Sequence, residues 1–332
     1  MPIELYVQEP GTTLAKEGER VIVRREGQIV AEIPFAAIGH IRLGGSGVHV
    51  STPLLHACLD ADLPVSFLSS RGHVRGQLVA AGGNGAALRQ AQYAATLDAA
   101  RCLPIARAIV AGKLRNQRFM LRRHGLDHRD ALRPLLAGLA EAQERAALSP
   151  SLAVLQGVEG AGARAYFAGL GLLLPACATF RVRSRRPPRD LGNALLSYGY
   201  AVLLTECMLA VRACGLDPAL GVLHQPHHDQ PALALDLMEE FRPILVDAAV
   251  LDLTVRRRIT AADGTAAEDG IALSSAARAV LVEALEERLR TTRTLPGQIE
   301  PLSLRALVQR QARALRDALL GRSPAFTPLP LP

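Results

Sequence analysis

Gly82-Gly83-Asn84-Gly85 divides this chain into two kinds of sequence. Glycine reaches φ values closed to other residues, so a run of this kind reads as a flexible hinge rather than a continuing element. Before it, the pattern has strand character. Arg20-Val21-Ile22-Val23-Arg24 and Gln28-Ile29-Val30-Ala31-Glu32-Ile33 flank Arg25-Glu26-Gly27, where glycine can supply the positive φ of a hairpin turn. Residues 40–43, 48–51, 65–68 and 74–79 continue the series, and 52–62 reads as one short helix with Pro53 in its first turn. After the hinge the apolar period becomes about 3.6 and the helix formers Ala, Leu, Arg and Glu dominate. The pattern predicts helices over 88–111 (with Pro104 a kink point), 112–125, 130–147, 149–171, 191–214, 233–254, 274–290 and 303–320. Residues 260–270 read as a polar loop or small hairpin. The expected organisation is a β-rich unit over 1–80, a Gly-rich linker over 81–88, a helical unit over 89–322 and an extended Pro-rich tail over 323–332.

The chain of 332 residues is 49% hydrophobic, which suffices for sizeable cores, and its formal net charge is +7. Lysine occurs only at Lys16 and Lys113, so 36 of the 38 basic residues are arginine. The planar fork of arginine grips phosphate at two points, which suits a polyanionic partner; a GC-rich genome would write the same bias. Trp is absent and aromatics make up 4%, so stacking of bases on aromatic platforms is not the expected mode of binding. The five cysteines form no CxxC pair and lie in apolar surroundings, as free thiols of a reducing compartment do. No cleavable signal is legible after Met1, and apolar stretches such as 170–177 are too short to cross a bilayer. A cytoplasmic protein with no membrane partner is the expectation.

Chemistry-bearing residues concentrate in Leu223-His224-Gln225-Pro226-His227-His228-Asp229-Gln230-Pro231 and the helical segment after it. Asp236 and Glu239 are three apart and so share a helix face with one another. With His224 they offer the mixed nitrogen and oxygen donors that suit Mg²⁺ or Mn²⁺. A salt bridge to Arg242 or a capping role would explain the acids equally well. The four-residue gap from His224 to His228 suits zinc only on a helix, and Pro226 and Pro231 argue for a loop. Glu159, in Gly157-Val158-Glu159-Gly160 at an expected helix start, reads either as a distant third ligand or as a first-turn acid complementing the helix dipole. Two basic segments stand out as candidates for phosphate contact: Lys113, Arg115, Arg118 and Arg122 in one, Arg181, Arg183, Arg185 and Arg186 in the other.

These residues converge on a family. Gly157-Val158-Glu159-Gly160 with Ala163-Arg164-Ala165-Tyr166-Phe167, then Arg186-Pro187-Pro188-Arg189-Asp190-Leu191-Gly192-Asn193, then Gly215-Leu216-Asp217-Pro218 through His224 and Leu233–Pro243 closely resemble the CRISPR-associated integrase, CRISPR-associated protein one. The resemblance spans nearly the whole chain. It implies an α+β fold: a small N-terminal β-sandwich-like domain that dimerises, followed by a larger all-α catalytic domain. It implies Glu159, His224 and Glu239 as metal ligands, with Asp236 an acidic neighbour in the catalytic site; some relatives carry aspartate where this chain has Glu239. The implied reaction is insertion of new spacers into a CRISPR array by attack of a DNA 3′-hydroxyl on phosphodiesters at the repeat edges. The implied partners are prespacer and repeat DNA and a small protein, CRISPR-associated protein two, bridging a dimer of dimers. A general metal-dependent nuclease for branched or repair DNA, and a non-enzymatic nucleic-acid scaffold, remain the competing readings.

Overall fold

The hairpin at Arg25-Glu26-Gly27 closes on a two-residue loop in which Glu26 (φ 50°) and Gly27 (φ 80°) are both left-handed, while Arg25 pairs with Gln28. Paired positive φ values match the twist of the flanking strands, and glycine takes the second without strain. The computed structural model describes residues 3–61, 63–69, 74–78, 86–180, 182–224, 230–267, 270–294 and 301–329. The expected hinge at 82–85, Arg181, and the loop bearing His227 and His228 lie outside the described residues.

The chain separates into two compact units, residues 1–84 and 85–332. In the first, β1 (Ile3–Val7), β2 (Thr12–Glu17), β3 (Arg20–Arg25), β4 (Gln28–Pro34), β5 (Ile38–Gly44), β6 (His49–Val50), β7 (Val65–Leu68) and β8 (Val74–Leu78) surround α1 (Thr52–Asp60). They form two mixed sheets, ordered β1-β5-β7-β8 and β4-β3-β2-β6. One core joins them: Val7, Ile41 and Val65 from the first sheet, Leu14 and Val21 from the second, and Leu54 and Cys58 one turn apart on α1. Ser51 caps that helix by accepting from Leu54 N–H, and Pro53 sits where no intrahelical donor is needed. Strand β2 is one that the alternation does not single out. Its buried positions are Thr12 and Leu14, and a polar residue on the core side masks the period.

The second unit is α-helical with two small hairpins. Its helices are α2 (Ala86–Thr96), α3 (Ala99–His124), α4 (Arg129–Leu148), α5 (Leu152–Leu173), α6 (Leu191–Ala213), α7 (Ala232–Met238), α8 (Ala248–Val255), α9 (Ser275–Arg290) and α10 (Leu304–Leu319). Strands β9 (Gly264–Ala267) and β10 (Gly270–Leu273) form an antiparallel pair, and Thr292–Arg293 pairs with Leu302–Ser303. Three expectations are corrected. The first two predicted helices divide elsewhere: Asp98 accepts from Ala100 and Arg101 N–H and starts α3, which then runs unbroken past Pro104 and Gly112 for 26 residues. Glu159 lies two turns inside α5, so it is no first-turn complement to the helix dipole. The expected helix over 233–254 is interrupted after Met238, and a π-helical segment, Arg242–Asp247, leads into α8. Such wide turns often accompany functional sites, and Pro243, lacking an N–H donor, sits at the start of this one.

Helix α6 forms the centre of the unit. It is long and apolar enough to cross a membrane by composition, yet most of it is buried inside the fold. Gly199 lets the π-helical segment approach, for a Cβ there would lie 2.5 Å from Val246 Cγ1. Behind this contact Asp247 is buried and accepts from Tyr166 Oη and Tyr200 Oη, each at 2.6 Å, tying α5, α6 and the π-helical segment together. Burial pushes the Asp247 carboxyl up to about 6, against the hydrogen bonds from both tyrosines and the nearby Arg242 and Arg183 charges.

The Pro-rich tail is extended but not separate. Phe326 and Leu329 are buried, Glu240 accepts from Leu329 N–H at 2.6 Å, and Arg115 donates to Leu329 O. Gln311 Nε2 donates to Thr327 O at 3.2 Å, and Pro328 fills the space left by the missing side chain of Gly112.

Removing residues 324–332 should therefore lower stability by about 2–5 kcal/mol, through exposed apolar surface and a buried Glu240 left without its backbone donor. Urea unfolding measures this, and an unchanged midpoint would show the tail to be dispensable. For Asp247 the folded value is raised above the ordinary 3.8 of an aspartate, so its contribution is complete at low pH and disappears as pH rises through about 6. The stability of wild type minus that of Asp247→Asn should accordingly fall by about 2–3 kcal/mol between pH 4 and 6.5. A pH-independent difference would contradict this environment for Asp247.

Candidate active site

Glu159 projects from the face of α5 that also carries Gly162, Tyr166 and Gly169, three of its buried positions. The glycines set how close α3 can come: a Cβ at Gly162 would overlap Leu114 Cδ2, and one at Gly169 would lie 2.7 Å from Leu121 Cδ1. Close packing of the two helices brings Lys113, the neighbour of Leu114, against Glu159. The Lys113 ammonium bonds Glu159 Oε1 and also stands 2.6 Å from Glu239 Oε2. Glu239 follows the last residue of α7 and is 3% exposed, so its charge cannot be left to water. Arg242, one turn on, places its Nε 3.1 Å from Glu239 Oε1, and its guanidinium lies 4.6 Å over the Tyr200 ring. Burial alone would raise the Glu239 carboxyl; Arg242, Lys113 and His224 outweigh it and hold the group well below the usual carboxylate range. For Lys113 too burial opposes the charge, and Glu239 and Glu159 overcome it, so its ammonium is held more firmly than usual.

His224 reaches the same point from the loop before α7. Asp236, fully buried on that helix, organises the loop: Oδ2 accepts from Val222 N–H at 2.6 Å and Leu223 N–H at 3.0 Å, while Oδ1 accepts from His224 N–H at 2.9 Å. The same Oδ1 lies 2.7 Å from His224 Nδ1. A carboxylate surrounded by donors acts as acceptor, which puts the ring proton on Nδ1 and leaves the Nε2 lone pair pointing outward. That Nε2 is 3.9 Å from Glu239 Oε1, and the His224 side chain is 37% exposed. Burial would lower the imidazole value, but the Asp236 hydrogen bond and the Glu239 charge raise it overall. Asp236 stands behind His224, with both oxygens engaged.

The structure thus brings Glu159, His224 and Glu239 to one place, from three separate elements. Among the described residues no three His, Cys, Asp or Glu side chains are already gathered at ligand spacing, and a lysine ammonium stands between the two glutamates. The donors nevertheless fit a hard divalent cation: one imidazole nitrogen with an outward lone pair, and two carboxylates already sharing one cation.

The basic segments divide differently from their appearance in sequence. Lys113 is 7% exposed and belongs to the site, so it is not part of an outer basic face. Arg115 is committed to the tail and Arg118 to Gln143 Oε1 at 3.0 Å, whereas Arg122 is exposed. Arg183 is half-buried, donating to Asn193 Oδ1 at 2.7 Å and Ser197 Oγ at 2.9 Å, while Arg185 and Arg186 are exposed. Lys113, read from the sequence as a phosphate contact, and Arg242, weighed there only as a salt bridge, both stand in the site. Two signals point to them: Lys113 is the single lysine after the hinge in an arginine-rich chain, and Arg242 sits three residues after Glu239.

Comparison with known proteins gives this arrangement a family. The family profile described as "CRISPR associated protein Cas1" matches residues 5–287. The chain is 40% identical over 328 residues to "CRISPR-associated endonuclease Cas1 1" of Thermus thermophilus, covering 98% of both. It is 36% identical to a "CRISPR-associated exonuclease Cas4/endonuclease Cas1 fusion" of Geobacter sulfurreducens, covering 98% of this chain but 59% of the fusion. Among solved structures, a chain of a "Cas6-RT-Cas1--Cas2 complex" superimposes with TM-score 0.84 at 25% identity, over 99% of this chain and 36% of that one. A CAS1 protein from Thermotoga maritima shares the fold with TM-score 0.81 at 23% identity, over 98% of this chain and 99% of that one. A β-sandwich-like unit followed by a larger helical unit is thus accounted for: the chain belongs to the Cas1 family of CRISPR-associated proteins.

Proposed function

We propose that this Cas1-family endonuclease and integrase inserts new spacers into a CRISPR array by metal-assisted transesterification. The observation that carries the reading is that Glu159 and Glu239 share the Lys113 ammonium while His224 Nε2 lies 3.9 Å from Glu239 Oε1, with Asp236 holding the imidazole from behind. A DNA 3′-hydroxyl attacks phosphorus at the repeat edge, one P–O bond forms as another breaks, and the departing 3′-oxygen takes up a proton in place of the one the nucleophile loses. No nucleotide cofactor is needed for such an exchange. Glu159, His224 and Glu239 would hold Mg²⁺ or Mn²⁺, which when bound polarises a phosphoryl oxygen and stabilises charge developing in the transition state. His224 serves as a ligand through Nε2 because Nδ1 is committed to Asp236, an arrangement common behind metal-bound imidazoles. Arg242 keeps Glu239 ionised and aimed. Water in place of the hydroxyl gives cleavage at the same site.

Cas2, named beside Cas1 in the matched Cas6-RT-Cas1--Cas2 complex, is the small partner in this reading. A homodimer through the N-terminal unit, paired into a dimer of dimers, completes the assembly; β4 is an edge strand with Ile29 51% and Val30 55% exposed, as a subunit contact requires. Free cysteines, four of them buried, fit a cytoplasmic setting.

Half-site integration with labelled DNA tests the site. His224→Ala and Glu239→Gln should abolish joining while leaving DNA binding nearly intact. Asp236→Asn removes the charge and keeps an acceptor for only one set of donors, Val222 and Leu223 N–H or His224 N–H and Nδ1, and should slow joining by about 10–100-fold. Wild-type joining by His224→Ala at limiting Mn²⁺ would remove His224 from the ligand set. Cleaved but never joined products from the wild type, with Cas2 present, would instead favour a general nuclease.

Phosphate contact is assigned to the exposed arginines. Reversing Arg185 and Arg186 to glutamate should weaken DNA binding for all sequences alike. It should also flatten the salt dependence by about 0.9 in log–log slope for each phosphate that is no longer neutralised. An unchanged slope and affinity would return these two side chains to plain solvated surface.

A further inference from the structure

The site contains a cation already. Lys113 reaches across from α3 with its ammonium between Glu159 and Glu239, and it is 7% exposed. Together with Arg242 it balances the charges of Glu159 and Glu239, so that these four side chains carry no net charge. Adding a divalent ion to such a cluster, with every group in place, would set a double positive charge a few ångströms from an ammonium in a poorly screened pocket. One of the two resident cations has to yield. Arg242 is fixed by its 4.6 Å stack on Tyr200 and its 3.1 Å contact with Glu239. Lys113 has a flexible four-carbon stem and a point charge with no geometric demand on its partners.

Resting on the metal reading above, we propose that Lys113 is the resident counter-ion of the Glu159–Glu239 pair, and that its ammonium must vacate the space between them for a divalent cation to bind. In the metal-free protein Lys113 keeps the buried Glu239 and the partly exposed Glu159 from repelling each other, and so holds α3, α5 and the turn after α7 in register. It also sets the threshold of metal concentration at which the site loads, because each binding event includes breaking two ion pairs. The same side chain thus stabilises the empty site and weakens the loaded one.

Three measurements on the whole 332-residue chain test this without recourse to catalysis. Titration calorimetry with Mn²⁺ should give a dissociation constant about tenfold or more tighter for Lys113→Met than for wild type. The metal-free variant should melt at lower temperature than wild type, and Mn²⁺ should raise its Tm by more. Lys113→Gln, which retains a donor to the carboxylates, serves the same comparison if the methionine variant does not fold. Equal or weaker Mn²⁺ affinity in these variants overturns the proposal. Independently, the chain has only two lysines, so wild type carrying ¹³Cε-lysine gives one signal for Lys113 and one for Lys16 as internal control. Saturating Mg²⁺ should move the Lys113 signal toward the value of a solvated lysine and leave Lys16 unchanged. A Lys113 signal that does not move at saturation overturns the displacement. Failure of the wild type to bind Mn²⁺ or Mg²⁺ at all would instead overturn the metal reading, and this inference with it.

Discussion

The Glu239 carboxylate, kept ionised out of bulk water, is the constraint on which the helical unit is arranged. An isolated buried carboxylate would take up a proton, so Glu239 can remain charged only if cations are delivered to it. Lys113 comes from α3, Arg242 from the π-helical segment and His224 from the loop before α7. Breaking such a cluster by removing one partner leaves an uncompensated charge, which makes each of these elements depend on the others.

The packing around the cluster follows from that requirement. Gly162 and Gly169 bring α3 against α5 closely enough for Lys113 to meet Glu159. Gly199 admits the π-helical segment to α6, where Tyr200 supports both Arg242 and Asp247. The adjacent acids Glu239 and Glu240 face opposite ways with opposite consequences. Cations hold Glu239 low, whereas burial pushes Glu240 up to about 7 against its bonds from Leu329 and Gln311. One acid organises the site and its neighbour clamps the C-terminal tail, so the tail lies one residue from the chemistry.

Asp236 and Glu239 stand out in sequence as acids three apart on an otherwise apolar helix just after His224, whereas only the resemblance joins the distant Glu159 to them. Local geometry is less legible. Glu159 looks like a helix-start acid because glycines flank it, yet it lies two turns inside a helix whose later glycines serve close packing. Lys113 groups with the arginines of its helix by charge, although a helix turns its side chains to every direction and this one faces inward. Strand β2 is hidden because Thr12 occupies a core-facing position. The break between α2 and α3 depends on Asp98 as a cap, a signal outweighed by the more conspicuous Pro104. In each case the deciding contact is made by a residue distant in sequence or by a short polar side chain.

The most direct measurement of the central claim is anomalous scattering from crystals of the protein soaked in Mn²⁺. The account predicts one strong peak bounded by Glu159, His224 Nε2 and Glu239, at about 2.0–2.3 Å from its ligand atoms, with Asp236 still on His224 Nδ1. A Mn²⁺ peak elsewhere in the helical unit, with the three side chains unchanged around Lys113, would contradict it.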